Sequence, residues 1–256
     1  MSDAGRLARG WDEAAEGYEA YFAPRFAHWV EAAVDALGSV PAGPILVPCC
    51  GTFPELPLLV ERFPDREIVG IDLSAGMVRL ARDRAGAWPQ VSVIEGDAAS
   101  LDPRWTASCA AVVSVFGLQQ LPEPDLAIQS WFKALRPCGR LSVVYWPSVT
   151  EDEGPFALLK VVRRSPPADH SWENRLADSI TAIGATVDRD DEPAYPMTHP
   201  DAATFFEAFT RHGPMRATAN ARGDAYIDQL RKEFLQQAPA GEWTHHPHAR
   251  LLAATR

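Results

Sequence analysis

Ile45-Leu46-Val47-Pro48-Cys49-Cys50-Gly51-Thr52-Phe53-Pro54-Glu55-Leu56, followed by Ile68-Val69-Gly70-Ile71-Asp72-Leu73-Ser74-Ala75-Gly76-Met77, are the stretches whose reading decides the fold. Each opens as a short apolar run without polar alternation, the pattern of a strand covered on both faces. Each then passes through a turn toward a helix. A strand that ends in a glycine-containing turn brings backbone close to a ligand, and an acidic residue roughly twenty positions later ends the next strand beside it. Asp72 stands at that distance from Gly51, and its carboxylate can accept two hydrogen bonds from a ribose diol.

Working outward, the spacing predicts strands at 44–49, 67–71, 91–94, 110–116 and 140–146, separated by longer amphipathic stretches, which is how successive βα units read. Ser74 is placed to cap the helix that carries Met77, Val78 and Ala81, and Gly86 to end it. Ile128, Trp131, Phe132 and Leu135 form an apolar stripe, so a helix covers the sheet between the fourth and fifth strands. The third strand leads to Glu95-Gly96-Asp97-Ala98, putting Asp97 where an adenine amino group could be held. The fourth leads to Phe116-Gly117-Leu118-Gln119-Gln120. These tips share one edge of a parallel sheet, where open α/β proteins bind ligands.

Toward the N-terminus, residues 11–37 read as two short helices with Pro24 starting the second. Beyond Trp146 the rhythm breaks. A helix at 155–164, a break at Pro166 and Pro167 and a helix at 172–183 suggest a substrate-side insertion over 147–200. Helices at 201–211 and 225–237 and a last strand at 249–255 follow.

A chain of 256 residues, 46% of them hydrophobic, suits one large domain. The formal charge of -10 and the scattered arginines argue against nucleic acid or an anionic membrane surface as partner. The absence of a long apolar run and of a leader-like start leads us to expect a soluble, cytoplasmic protein. Cys49, Cys50, Cys109 and Cys138 show neither disulfide density nor zinc spacing and read as reduced core thiols. His245, His246 and His248 superficially suggest a metal cluster. Only Glu242 is an adjacent carboxylate and Pro247 forces extension, so a solvent-exposed strand entry is the better reading, and no metal is expected.

Taken together, Cys50-Gly51-Thr52, Gly70-Ile71-Asp72-Leu73-Ser74, Gly96-Asp97-Ala98 and Leu135-Arg136-Pro137-Cys138-Gly139-Arg140-Leu141 resemble the class I methyltransferases, in particular the ubiquinone/menaquinone-type (methyltransferase type 11) branch. The resemblance implies a Rossmann-like α/β fold: a seven-stranded sheet of order 3-2-1-4-5-7-6, strand 7 antiparallel, helices on both faces, with residues 249–255 as the antiparallel strand. It implies a single methyltransferase domain over 1–256 with a helical lid at 1–40. It also implies S-adenosylmethionine as cofactor and S-adenosylhomocysteine as product, with contacts from Tyr18, Tyr21, Cys50, Gly51, Thr52, Asp72, Leu73, Met77, Asp97, Ala98 and Phe116. Three departures stand in the cofactor loop: Val47 replaces the family's acid, Cys49 its first glycine and Phe53 its third. Cys138 likewise occupies a glycine position before the fifth strand.

The expected function is methyl transfer to O, N or C of a small-molecule acceptor, including secondary metabolites. The altered loop keeps open a scaffold that binds the cofactor or its product without methylating, as a cyclisation catalyst or regulatory binder. A nicotinamide dehydrogenase is disfavoured by the missing G-x-G-x-x-G. Proton removal from an acceptor would fall to His28, His170 or His199, none singled out by spacing. Gln119 and Gln120 follow the fourth strand where substrate is touched, and His28 and Gln120 are the catalytic candidates.

Overall fold

The computed structural model describes residues 3–164 and 169–256. Met1 and Ser2, at the start of the segment read for a leader, and the break at Pro166 and Pro167 lie outside the described residues. In chain order come α1 (Asp3–Arg25), α2 (Ala27–Ala36), β1 (Ile45–Pro48), α3 (Leu56–Arg62), β2 (Ile68–Asp72), α4 (Ala75–Ala85) and β3 (Val91–Glu95). There follow β4 (Cys109–Val115), α5 (Pro124–Ala134), β5 (Leu135–Tyr145), α6 (Pro155–Arg163), α7 (Leu176–Thr181) and β6 (Thr186–Asp191). The chain ends with β7 (Met197–His199), α8 (Ala202–Thr210), α9 (Gly213–Arg222), α10 (Asp224–Gln237), β8 (Trp243–His245) and β9 (Arg250–Thr255). It forms two compact units.

The first unit comprises Ala27–Pro147, Asp169–Pro193 and Ala249–Arg256. Its sheet runs β3-β2-β1-β4-β5-β9-β6. β9 is antiparallel to both neighbours, Tyr145 pairing with Arg250 and Asp191 with Leu251. This is the expected seven-stranded order, with β9 as the inserted strand. Every residue of β1 and β4 is buried, as strands covered on both faces require. One face packs on Ile128, Trp131 and Phe132 of α5. Ser74 caps α4 by accepting the Met77 N–H at 3.2 Å, and Gly86 follows its last turn.

Several boundaries differ from the sequence expectation for identifiable reasons. β4 ends at Val115 because Phe116 turns into the left-handed region at φ 59°. β5 begins at Leu135, earlier than expected, because Leu135 pairs with Cys109 before a register shift, and Cys138 takes φ 63° where the family has glycine. The 172–183 stretch is a 3-10 turn, Ser171–Arg175, followed by the shorter α7. The sixth strand, absent from the sequence reading, is β6, a polar edge strand whose Asp188, Asp190 and Asp191 are exposed.

The second unit comprises the described residues of Met1–Phe26, Ser148–Ala168 and Ala194–His248. Pro24 lies in the last turn of α1 rather than opening the next helix; the break falls at Phe26. Phe205, Phe206, Phe234, Met215 and Leu159 form the core. α1 approaches α9 closely, because a Cβ at Gly10 would sit 2.5 Å from the Gly213 carbonyl and one at Gly213 would strike the Trp11 ring. β7 and β8 form a small antiparallel ribbon, His199 facing Trp243. α9 lies between the two helices expected from the sequence and opens on Gly213 and Pro214, a dipeptide that commonly marks a turn.

Two residues of the β1–α3 loop carry physical consequences. Phe53 has φ 65° yet is fully buried, its ring turned against β2, where a Cβ on Gly70 would lie 2.8 Å from it. A left-handed non-glycine residue costs about 1–3 kcal/mol, whereas deleting a buried phenylalanine ring costs about 3–5 kcal/mol. Burial therefore outweighs strain. Glu55, at the start of α3, is buried without a side-chain capping bond, and burial pushes its carboxyl from 4.5 to about 8.

The Phe53–Gly70 contact predicts that Gly70→Ala loses about 1–3 kcal/mol by overpacking. A Phe53→Leu background should recover at least about 1 kcal/mol of that loss in a urea-denaturation cycle, and simple additivity would refute the contact. For Glu55, the native state holds a proton that the unfolded chain releases between pH 4.5 and about 8. This contribution is complete below pH 4.5 and is lost as pH rises to about 8. Glu55→Gln should therefore flatten the fall in stability across that window, by a slope approaching about 1.4 kcal/mol per pH unit. Parallel stability–pH curves for the two proteins would contradict it.

Candidate active site

In the sheet unit, the tips of β1, β2, β3 and β4 bring most of the expected residues together. Asp72 ends β2, where its Oδ2 accepts the Gly51 N–H at 2.8 Å and its Oδ1 accepts the Ser74 N–H at 2.9 Å. The loop after β1 is thereby tied to the turn into α4. Gly51 itself has φ 53°, and a Cβ there would meet nothing within 4 Å, so its backbone is open to close approach. Leu73, the next residue, is 47% exposed.

Cys49, Gly51 and Phe53 all have positive φ. The two replaced glycines thus keep a glycine-like backbone conformation. Cys50 donates its N–H to the Ile71 carbonyl at 3.1 Å. Burial, reinforced by the Asp72 carboxylate, pushes the Cys49 and Cys50 thiols well above their ordinary range, so both stay protonated. The β1 and β4 loops touch, since a Cβ on Gly117 would lie 2.2 Å from the Cys49 Cβ. Around this contact three buried side-chain oxygens lack a hydrogen-bond partner: Thr52 Oγ1, Glu55 Oε2 and Gln119 Oε1.

The remaining sheet-unit candidates are placed as follows. Asp97 is exposed after β3, and its Oδ1 accepts the Ala99 N–H at 2.8 Å. Ala98 is buried and its carbonyl accepts the Trp131 indole N–H at 2.7 Å. The Met77 side chain is buried on α4. Phe116 stacks on Trp146 with ring centroids 4.2 Å apart, with Trp29 edge-on to both. Gln120 ends the 3-10 turn Leu118–Gln120 and is half-buried. His28 is on α2 with its side chain 56% exposed, 4.0 Å from Glu31. His170 faces Glu173 at 2.7 Å.

Tyr18 and Tyr21 belong to the helical unit, on α1. Tyr18 packs among Trp11, Phe22, Phe26 and His212. The Tyr21 Oη lies 2.8 Å from His199 Nδ1. His199 is fully buried and continues to His245, Nε2 to Nε2 at 3.0 Å. His245 Nδ1 then meets Glu151 Oε2 at 2.5 Å. The reading of 245–248 as an exposed strand entry is corrected for His245, which is 5% exposed because β8 pairs with β7 and turns it inward; His246 is exposed. Nothing in local spacing could reveal this chain, since Glu151 and His245 lie 94 residues apart. Among the described residues no group of three or more His, Cys, Asp or Glu is placed to hold a metal ion, and no helix is long and apolar enough to cross a membrane.

Comparison with known proteins agrees with this geometry. Residues 45–139 match a family model described as a methyltransferase domain. Ubiquinone/menaquinone biosynthesis C-methyltransferase UbiE of Syntrophotalea carbinolica is 31% identical over 123 residues, 48% of this chain and 52% of that protein. Trans-aconitate 2-methyltransferase of Methylobacterium nodulans is 32% identical over 171 residues, 61% of this chain and 64% of that protein. The chain thus spans between half and two thirds of the length of these relatives. Among solved structures, the [4+2]-cyclase SpnF superposes with a TM-score of 0.56 at 20% identity, covering 90% of this chain and 80% of the other. Sheet order, loop conformation and these matches converge: residues 45–139 match a methyltransferase-domain model, and the sheet is that of the Rossmann-like methyltransferase fold.

Proposed function

We propose that this chain transfers a methyl group from S-adenosylmethionine to O, N or C of a small-molecule acceptor. The observation that carries the reading is the Asp72 carboxylate: it ends β2, ties the Gly51 loop to the turn into α4 and is the acceptor suited to a ribose diol, while Gly51 offers open backbone beside it. Asp97 at the neighbouring tip and exposed Leu73 are suited to an adenine ring. Thr52 Oγ1 and Glu55 Oε2, buried and unpartnered, are the polar atoms that a methionine head group would satisfy, the buried Glu55 carboxyl giving up its proton as an ammonium binds, in place of the acid that Val47 replaces. The Phe53 ring, turned down against Gly70, leaves the loop's path to the ligand intact.

Bound there, the cofactor supplies an activated methyl on a sulfonium. The protein's part is to hold an acceptor in line and exclude water. Phe116 and Trp146 form a rigid aromatic wall, and aromatic faces attract a nearby cation. In this reading Gln120, in the turn after β4, orients an acceptor, and His28, on the exposed face of α2, is the candidate base. Quinone-like and carboxylate acceptors are the classes that the relatives' names suggest.

Calorimetric titration should show S-adenosylmethionine and S-adenosylhomocysteine binding and no response to NAD. Asp72→Ala should weaken sulfonium affinity at least about tenfold, or about 1.4 kcal/mol; unchanged affinity would remove the ribose assignment. Labelled-methyl transfer into a metabolite extract should yield a labelled product. Tight cofactor binding without any product would favour the non-methylating scaffold.

A further inference from the structure

We propose that Thr52 and Glu55 seat the amino-acid ammonium of the bound ligand, and that Glu55 releases one proton to solvent as that ammonium enters, so that pH sets how tightly the site is filled. The proposal rests on the S-adenosylmethionine reading above and adds the proton as a second, competing ligand of the same site. Thr52, Glu55 and every group that acts on them here lie in the sheet unit.

The β1–α3 loop builds the seat from its own sequence. Phe53 donates its N–H to the Cys50 carbonyl at 2.8 Å and its carbonyl accepts the Leu56 N–H at 3.2 Å, so two tight turns follow one another. They fold Thr52 and Glu55 inward on either side of Phe53: Thr52 is fully buried and Glu55 is 1% exposed. Glu55 stands at the start of α3 without capping it, and neither its Oε2 nor Thr52 Oγ1 has a hydrogen-bond partner. A buried polar atom left unpaired carries its full desolvation cost, which a ligand that completes the pairing removes. Asp72 from β2, Arg84 from α4 and the Cys50 thiol of the loop itself act on the Glu55 carboxyl. A ligand carboxylate brought here would stand beside Asp72. An ammonium has three N–H donors and no acceptor, and it matches a seat made of oxygens.

Without a ligand, burial prevails over the pull of Arg84 and keeps Glu55 protonated up to about pH 8. Its carboxylate would otherwise be a buried charge without a partner. An ammonium beside Oε2 changes that balance. The Glu55 O–H bond breaks, the proton passes to the buffer, and the electron pair stays on the oxygen to accept an ammonium N–H. Thr52 Oγ1 accepts a second N–H. One positive charge enters the site and one leaves it. The sign of the pH effect follows. Below about pH 8 binding must expel a proton, so affinity rises by about tenfold for each pH unit gained. Above that value the free protein has already lost the proton and the gain ends. An α-amino group also begins to lose its own charge at about 7.7–8.0, so affinity peaks close to the Glu55 value.

The test is calorimetric titration of the full chain between about pH 6 and about pH 8, repeated in buffers of different ionisation enthalpy so that released protons are counted. The two probes are S-adenosylhomocysteine and 5′-methylthioadenosine, which carries the same nucleoside without the amino acid. S-adenosylhomocysteine should bind about tenfold tighter at pH 7 than at pH 6 and release close to one proton. The affinity of 5′-methylthioadenosine should stay level and release none. Glu55→Gln should bind S-adenosylhomocysteine with a level profile and 5′-methylthioadenosine as the unaltered chain does, the second result showing that its nucleoside site is intact. Infrared spectra at pH 7 should show a buried protonated-carboxyl band that vanishes on saturation with S-adenosylhomocysteine and is missing from Glu55→Gln. A level S-adenosylhomocysteine profile without proton release, or an equal slope for both probes, overturns the proposal and leaves the cofactor reading standing. Binding of neither probe at any pH overturns the cofactor reading, and the proposal with it.

Discussion

Buried backbone N–H groups need partners, and at the sheet's ligand edge one side chain supplies two of them. Asp72 holds the Gly51 and Ser74 amides with its two oxygens. The loop leaving β1 and the turn entering α4 therefore cannot move independently. The loop has lost two of the family's three glycines, yet Cys49 and Phe53 hold the positive φ that glycine would take without strain. They can do so because the Asp72 bond fixes the path between them and because the Phe53 ring repays its own strain by packing on Gly70. Gly70, not the loop, is where the compensation is written.

Buried polarity is handled in more than one way. The sheet unit keeps polar atoms unpartnered near its ligand edge, at Thr52, Glu55 and Gln119. Such atoms cost stability unless something binds them. In the helical unit, the series from Tyr21 to Glu151 is bonded link by link, as a buried network must be if it is not to weaken the core. Nearby His212 is handled in a third way: it is buried among Trp11, Tyr18 and Phe209, and burial alone drives it down to about 3, so it packs as a neutral aromatic ring.

Much of the sheet unit was legible because its signals are local. Apolar runs mark β1, β2 and β4, Ser74 marks the start of α4, and the spacing from Gly51 to Asp72 anticipates that the two stand side by side. β6 was not legible because it is a polar edge strand, held by β9 pairing and by the bond of Arg250 to Asp190 rather than by an apolar face. Tyr18 and Tyr21 shared a helical spacing but not an environment. Only tertiary packing separates an aromatic cluster from a hydrogen-bonded phenol. His245 was hidden for the same reason: its inward turn depends on β7, a strand of three residues.

That polar edge strand also bears on how the chain behaves among its own copies. The outer rim of β6 shows free backbone groups that a stray strand could zip onto, the usual seed of sheet-to-sheet aggregation. Here an intruder would have to strip water from Asp188, Arg189, Asp190 and Asp191, and the register shift between Val187 and Arg189 interrupts a straight template. The composition that conceals the strand from a hydrophobicity-based reading is also what keeps the sheet from growing past seven strands.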